Sequence, residues 1–169
     1  MKQFYNTTIN KKGFTMVEAI VAIFIITTGI VGVLSLATQT ISSATYSTDK
    51  LIAAYLAQEG IEIVRNIRDT NWLEGASSWT DGIDMTSDYG LDHLSLTFPD
   101  LICSLGPGNY LKFDGNFYNC TSGTDTKFKR EITITQLGVD ILNVSVQVEW
   151  QEKGKFHKVE AQENLYNWK

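Results

Sequence analysis

Ala19 to Ala37 reads AIVAIFIITTGIVGVLSLA, 19 consecutive residues without a charge. As a helix at ~1.5 Å per residue it spans roughly 28 Å, about the thickness of a bilayer hydrocarbon core. The uncharged stretch runs on through Thr, Ser and Gln to Thr48, and no proline occurs before Pro99. Nothing in the first 98 residues therefore forces a helix to break. Lys11 and Lys12 precede the run. By the positive-inside rule they hold the leader in the cytoplasm and place the body outside.

Three kinds of segment share this outline. A secretory signal peptide has a shorter apolar core followed by a small-residue cleavage site. Here the run is longer, and the chain beyond Leu36 keeps a helical pattern. A plain transmembrane anchor fits the length but not Glu18, a carboxylate between Val17 and Ala19. A charge there is costly unless it is paired or interfacial. Its incidental reading is an interfacial site at a helix N-terminus, where the macrodipole favours an anion.

The whole string Lys11-Lys12-Gly13-Phe14-Thr15-Met16-Val17-Glu18, followed by the apolar span, resembles the processing site of type IV prepilins. The resemblance covers residues 11–45. It implies that a prepilin peptidase cuts after Gly13 and N-methylates Phe14, and that Glu18 serves assembly. Glycine before the cut offers an unhindered peptide, and cutting there creates an amine at the head of an apolar helix. A buried amine and a buried carboxylate are each costly alone and less so together. Glu18 of one subunit is thus expected to pair with the Phe14 amine of a neighbour and set register. The implied partners are other pilin subunits, the peptidase, the membrane and the assembly machinery. The implied site is the inner membrane for the precursor and the pilus or cell surface after assembly.

After the span, Ile52, Tyr55, Leu56, Ile63 and Ile67 recur at helical spacing, which marks one apolar face. Glu62 with Arg65, and Arg65 with Asp69, have the spacing of ion pairs on an exposed face. One helix is expected from about Phe14 to about Ile67, apolar all round and then amphipathic. Gly29, Gly32 and Gly60 lie inside it, at some cost to the helix. They have two readings, close helix–helix approach in a membrane or soft points where the helix unwinds.

Residues 69–108 lack a period and hold Trp72, Trp79 and both prolines, as expected of a connecting loop. Asp81, Asp84, Asp88 and Asp92 cluster there without the alternating pattern of a calcium loop, so a solvated acidic face is expected. Tyr110–Tyr118 reads as a hairpin turning at Asp114-Gly115. Ile132 and Ile134 mark a strand over Phe128–Thr135. Leu142, Val144, Val146, Val148 and Trp150 alternate with Asn143, Ser145, Gln147 and Glu149, a half-buried strand. Val159, Ala161 and Leu165 mark a last strand. The expected class is α+β and pilin-like, a long N-terminal helix packed on a C-terminal antiparallel β-sheet. Its divisions are a leader at 1–13, a transmembrane or filament-core helix at 14–40, an amphipathic helix at 41–68, the loop at 69–108 and the sheet at 109–169.

The chain carries 14 basic and 19 acidic residues, with Lys2, Lys11 and Lys12 ahead of the span. The acidic body disfavours nucleic acid as a partner. Cys103 and Cys120, the only two cysteines, have no metal-ligand spacing. An extracytoplasmic head favours a disulfide between them over two buried thiols. His93 and His157 stand in no nucleophile or metal motif, and no phosphate loop, dinucleotide fingerprint or nucleophile elbow occurs. No enzyme activity and no cofactor is expected. Within the resemblance, the runs Glu18-Ala19-Ile20-Val21-Ala22-Ile23 and Ala57-Gln58-Glu59-Gly60-Ile61-Glu62 are similar to minor pilins of the modification (V-type) class. The alternatives are a pseudopilin of a type II secretion or DNA-uptake system, or a single-span membrane-anchored binding domain.

Overall fold

The computed structural model describes residues 13–83 and 110–168. The chain divides into two compact units, Met1–Thr45 and Tyr46–Lys169. A single helix, α1 (Met16–Glu74), contributes to both. In the first unit it buries none of its residues. Its hydroxyls bond back to its own carbonyls. Thr27 Oγ1 donates to the Ile23 and Phe24 oxygens at 2.9 and 3.0 Å, and Thr28 Oγ1 to Phe24 at 2.7 Å. Thr40, Ser42 and Thr45 donate four residues back at 2.9, 3.0 and 3.1 Å. These hydroxyls thus need no outside acceptor.

In the head, Tyr46–Lys169, α1 continues past the expected end at Ile67 to Glu74. Burial of Arg68 and Trp72 on the same face carries it on. It stops at Gly75, whose φ of 69° lies in the left-handed region. The Ala76 N–H then donates to the Asn71 carbonyl at 2.9 Å. This is the six-to-one bond of a Schellman cap.

The main sheet is antiparallel and ordered β4-β5-β6: β4 Phe128–Gly138, β5 Ile141–Glu152 and β6 Lys155–Tyr166. Lys153 and Gly154, at φ 49° and 78°, form the two-residue turn between β5 and β6. Two residues at positive φ give the tight hairpin that matches strand twist. The expected hairpin belongs to a second small sheet, β2-β1-β3: β1 Lys112–Phe113, β2 Tyr118–Asn119 and β3 Thr124–Asp125. Its turn is built on Asp114, whose Oδ1 accepts the amides of Asn116 and Phe117, both at 2.8 Å. Leu111 ties this sheet to β4 by donating to the Phe128 carbonyl at 2.8 Å.

The core lies between α1 and the main sheet. Ala53, Leu56, Ala57, Ile61, Val64 and Ile67 face Ile132, Leu142, Val144, Val146 and Val148. Tyr55, expected on this face, is instead 63% exposed. The packed stripe is centred on small residues, and Gly60 marks its closest approach. A Cβ there would sit 2.8 Å from Val146 Cγ1 and 3.2 Å from Ile132 Cδ1. For Gly60 the close approach is therefore helix on sheet, not helix on helix. Gly29 and Gly32 have nothing within 4 Å of such a Cβ.

Among the described residues, ion pairs fasten the helix to β4, to β6 and to the residue just before β4. Arg130 Nη1, on a fully buried side chain, donates to Glu59 at 2.7 Å and to the Leu56 carbonyl at 3.2 Å. Arg65 Nη2 donates to both Glu163 oxygens at 2.6 Å, and Nη1 pairs with Glu62. The hydrogen bond to Glu163 is the main reason that the Arg65 guanidinium is held above its ordinary pKa. Lys127 pairs with the buried Asp49 at 2.5 Å.

Candidate functional site

The site is built at the start of α1. Gly13, Phe14 and Thr15 precede the helix and are exposed. Space around the Gly13 α-carbon is open, with no heavy atom within 4 Å of a would-be Cβ. The Gly13–Phe14 peptide bond thus lies in accessible, non-helical chain, as a protease substrate must. Phe14 itself is 76% exposed.

Thr15 is the N-cap. Its Oγ1 accepts the Glu18 amide at 3.3 Å, and its carbonyl accepts the Ala19 amide at 3.2 Å. Glu18 is therefore the third helical residue, and Thr15-Met16-Val17-Glu18 has the spacing of a capping box. The Thr15 cap was missed in the sequence, although Thr-x-x-Glu before an apolar run is its usual signal. Glu18 is exposed in the first turn. There the unpaired amides and the macrodipole favour its negative charge. The structure thus brings Gly13, Phe14 and Glu18 into one short segment that straddles the helix start.

Beyond Glu18 the helix presents apolar side chains on every side. Ile20, Ile23, Phe24, Ile30, Val33 and Leu36 are all more than half exposed. No charge interrupts this surface before Asp49. A surface of that extent needs a non-aqueous neighbour, either lipid or other apolar helices. Its length and composition suffice to cross a membrane.

The remaining sequence candidates lie elsewhere. Cys120 is disulfide-bonded and packs beside the core, and Cys103 lies outside the described residues. So do His93, Asp84, Asp88 and Asp92. Asp81 is tied into its own turn, accepting Ser77 Oγ at 2.8 Å and the Ser78 amide at 3.0 Å. The Ser77 hydroxyl, then the Ser78 amide, draw its carboxyl below the usual carboxylate range. Among the described residues no cluster of His, Cys, Asp and Glu could hold a metal ion. His157 stacks on Trp150 with ring centroids 5.4 Å apart and meets Tyr46 at 4.9 Å. A cleft of about 630 Å³ is lined by Asn71, Trp72, Trp79, Asp140 and Asn167 among others. Two of its amides are engaged internally, Asn71 with the Trp79 and Asp81 carbonyls and Asn167 with Trp72 and Asp140.

Among known proteins, a family model described as the prokaryotic N-terminal methylation motif matches residues 9–34. The match takes in Gly13, Phe14, Glu18 and most of the apolar span. No curated protein and no solved structure matches the chain.

Proposed function

We propose that this type IV prepilin-like chain is a non-catalytic filament subunit, a minor pilin. It waits in the inner membrane as a single-span precursor with its head outside the cytoplasm. The peptidase cuts after Gly13 and methylates the Phe14 amine. The apolar helices then bundle, and Glu18 sets register by pairing with the amine of a neighbour. The observation that carries this reading is the capped helix start, with an open glycine before it and an apolar wall after it. Cutting after Gly13 leaves Thr15 in the chain, so the cap survives processing. We assign the bond of Cys120 to Cys103, closing a loop outside the reducing cytoplasm.

The test is co-expression of the full chain with a prepilin peptidase, followed by the intact mass and the first residue. A product beginning at N-methylated Phe14 is expected. A chain that keeps Met1 to Gly13 in the presence of active peptidase would leave a simple anchor. A Glu18→Ala chain that is processed but fails to enter filaments would support the registration role. Normal filaments from that variant would remove it.

A further inference from the structure

The two ends of the head differ in chemistry. At the end where α1 enters, Tyr46 meets His157 and Trp150, at 4.9 and 6.3 Å between ring centroids. Trp150 meets Phe128 at 6.1 Å, Phe128 meets Tyr118 at 6.3 Å, and Tyr118 meets Phe113 at 5.1 Å. This ladder runs from a buried Trp150 to half-exposed rings at its margins. Beside it the β5–β6 turn reads Lys153-Gly154-Lys155-Phe156, all exposed, with Phe156 at 79%. Lys127 and Lys129 sit over the Phe128 and Tyr110 rings at 5.8 and 4.8 Å.

Lys50, Lys127, Lys129, Lys153, Lys155 and Lys158 all belong to this end. With Lys112 they outnumber its acids Asp49, Asp114, Asp125, Glu149 and Glu152 only by seven to five, although the chain as a whole is acidic. The β4–β5 turn lies at the opposite end, where Asp140 meets Asn167 beside Trp72. It also exposes apolar side chains, Leu137 at 60% and Val139 at 83%. Its charged neighbours are the acids Glu74, Asp81 and Asp140, with the Arg68 guanidinium over the Trp72 ring at 4.6 Å. Among the described residues, exposed apolar groups are thus common to both ends, and the lysines gather at one.

We propose that the Tyr46 end of the head is a docking surface for anionic lipid headgroups. Rings with a polar edge and lysines on long stems are the side chains that settle at a membrane–water interface. Anionic headgroups complement the lysines. Tyr46 follows the apolar run by only nine residues of sequence, so this end of the head is the part of it joined most directly to the span. Docking would hold the precursor head against the membrane until assembly withdraws the span. The inference rests on the membrane-anchored reading above.

The experiment uses the full chain in vesicles of phosphatidylcholine, with and without phosphatidylglycerol. A photoreactive p-benzoylphenylalanine replaces Phe156, Val139 or, separately, Phe24. Lipid adducts at 156 but not at 139 are expected, strengthened by phosphatidylglycerol and weakened by high salt. Lys153→Ser with Lys155→Ser should lower the docked-to-undocked ratio roughly tenfold. Equal yields at 156 and 139, no dependence on phosphatidylglycerol, or adducts at 156 to a second copy would each overturn the proposal. Lipid adducts at 24 show that the span is in the bilayer whatever happens at 156. Their absence would break the anchored reading itself, and the docking surface with it.

Discussion

Residues 16–45 and 46–74 of α1 share one unbroken helix, yet only the second stretch buries side chains. The first is the more apolar and has no intramolecular cover. The second is mixed in composition and packs with almost no free space, down to the missing Cβ of Gly60. Hydrophobicity therefore does not report where a chain has its core. The apolar half displays its surface for another phase, and the mixed half builds the head. Size matters more than hydropathy in the second half, where Ala53, Ala57 and Gly60 let Leu56 and Val64 reach the sheet.

Paired substitutions can break this contrast. Leu142→Ala empties a fully buried site and should cost the head about 2–5 kcal/mol. Leu34→Ala, at 60% exposure, should leave head stability unchanged and weaken retention in the membrane. Urea unfolding in detergent micelles checks the first and carbonate extraction of membranes the second. Comparable losses of head stability would mean that the two halves are not independent.

The two helix carboxylates make the next pair. Glu59→Ala removes the carboxylate partner of the buried Arg130 guanidinium, leaves its bond to the Leu56 carbonyl, and should cost about 2–3 kcal/mol. This lies below the range for a fully buried pair because Glu59 is a third exposed. Glu18→Ala should leave the same unfolding curve in place, since Glu18 stands in open surroundings at the helix start.

A smaller effect separates the glycines. Gly60→Ala should destabilise by about 1 kcal/mol net, overpacking against Val146 outweighing a better helix propensity. Gly29→Ala should be neutral or stabilising by up to ~1 kcal/mol in the isolated chain, since nothing stands in its way.

The smallest expected effect is local and titrates. The Asp81 carboxyl is held below its ordinary value, so its bonds to Ser77 and Ser78 are fully present above that ordinary value. They are lost as pH falls through the lowered folded value. The Ser78 amide resonance should therefore shift in acid while the core amides do not. A shift of the core amides over the same range would mean that the turn is coupled to the sheet.

Much of the fold was legible because its signals are local. The alternation from Leu142 to Trp150 gave β5, and the absence of charge from Ala19 to Thr48 gave the span. The helix end depends on Gly75 taking a left-handed φ of 69°, which helical periodicity does not report. Tyr55 has the spacing of the stripe but lies on its exposed edge, because the closest approach to the sheet is set by small side chains. Arg130 shares the buried face of Ile132 and Ile134, and no local rule puts an arginine there. Its partner Glu59 lies 71 residues away, a separation that periodicity does not reach. At the candidate site the glycine, the phenylalanine and the glutamate were legible as a string. The Thr15 cap that organises them also has a local signal, the Thr-x-x-Glu spacing, and its bond to the Glu18 amide is seen in the structure.

The hydroxyls of the apolar half have a consequence for traffic. Thr27, Thr28, Thr40 and Ser42 each satisfy themselves on a carbonyl one turn back. Hydroxyls wired this way owe nothing to the solvent on either side of the segment. They can pass from one oily medium to another without breaking and remaking their own bonds. Extraction then meets no hydrogen-bond toll from these side chains, and only the quality of the new packing decides whether the segment stays.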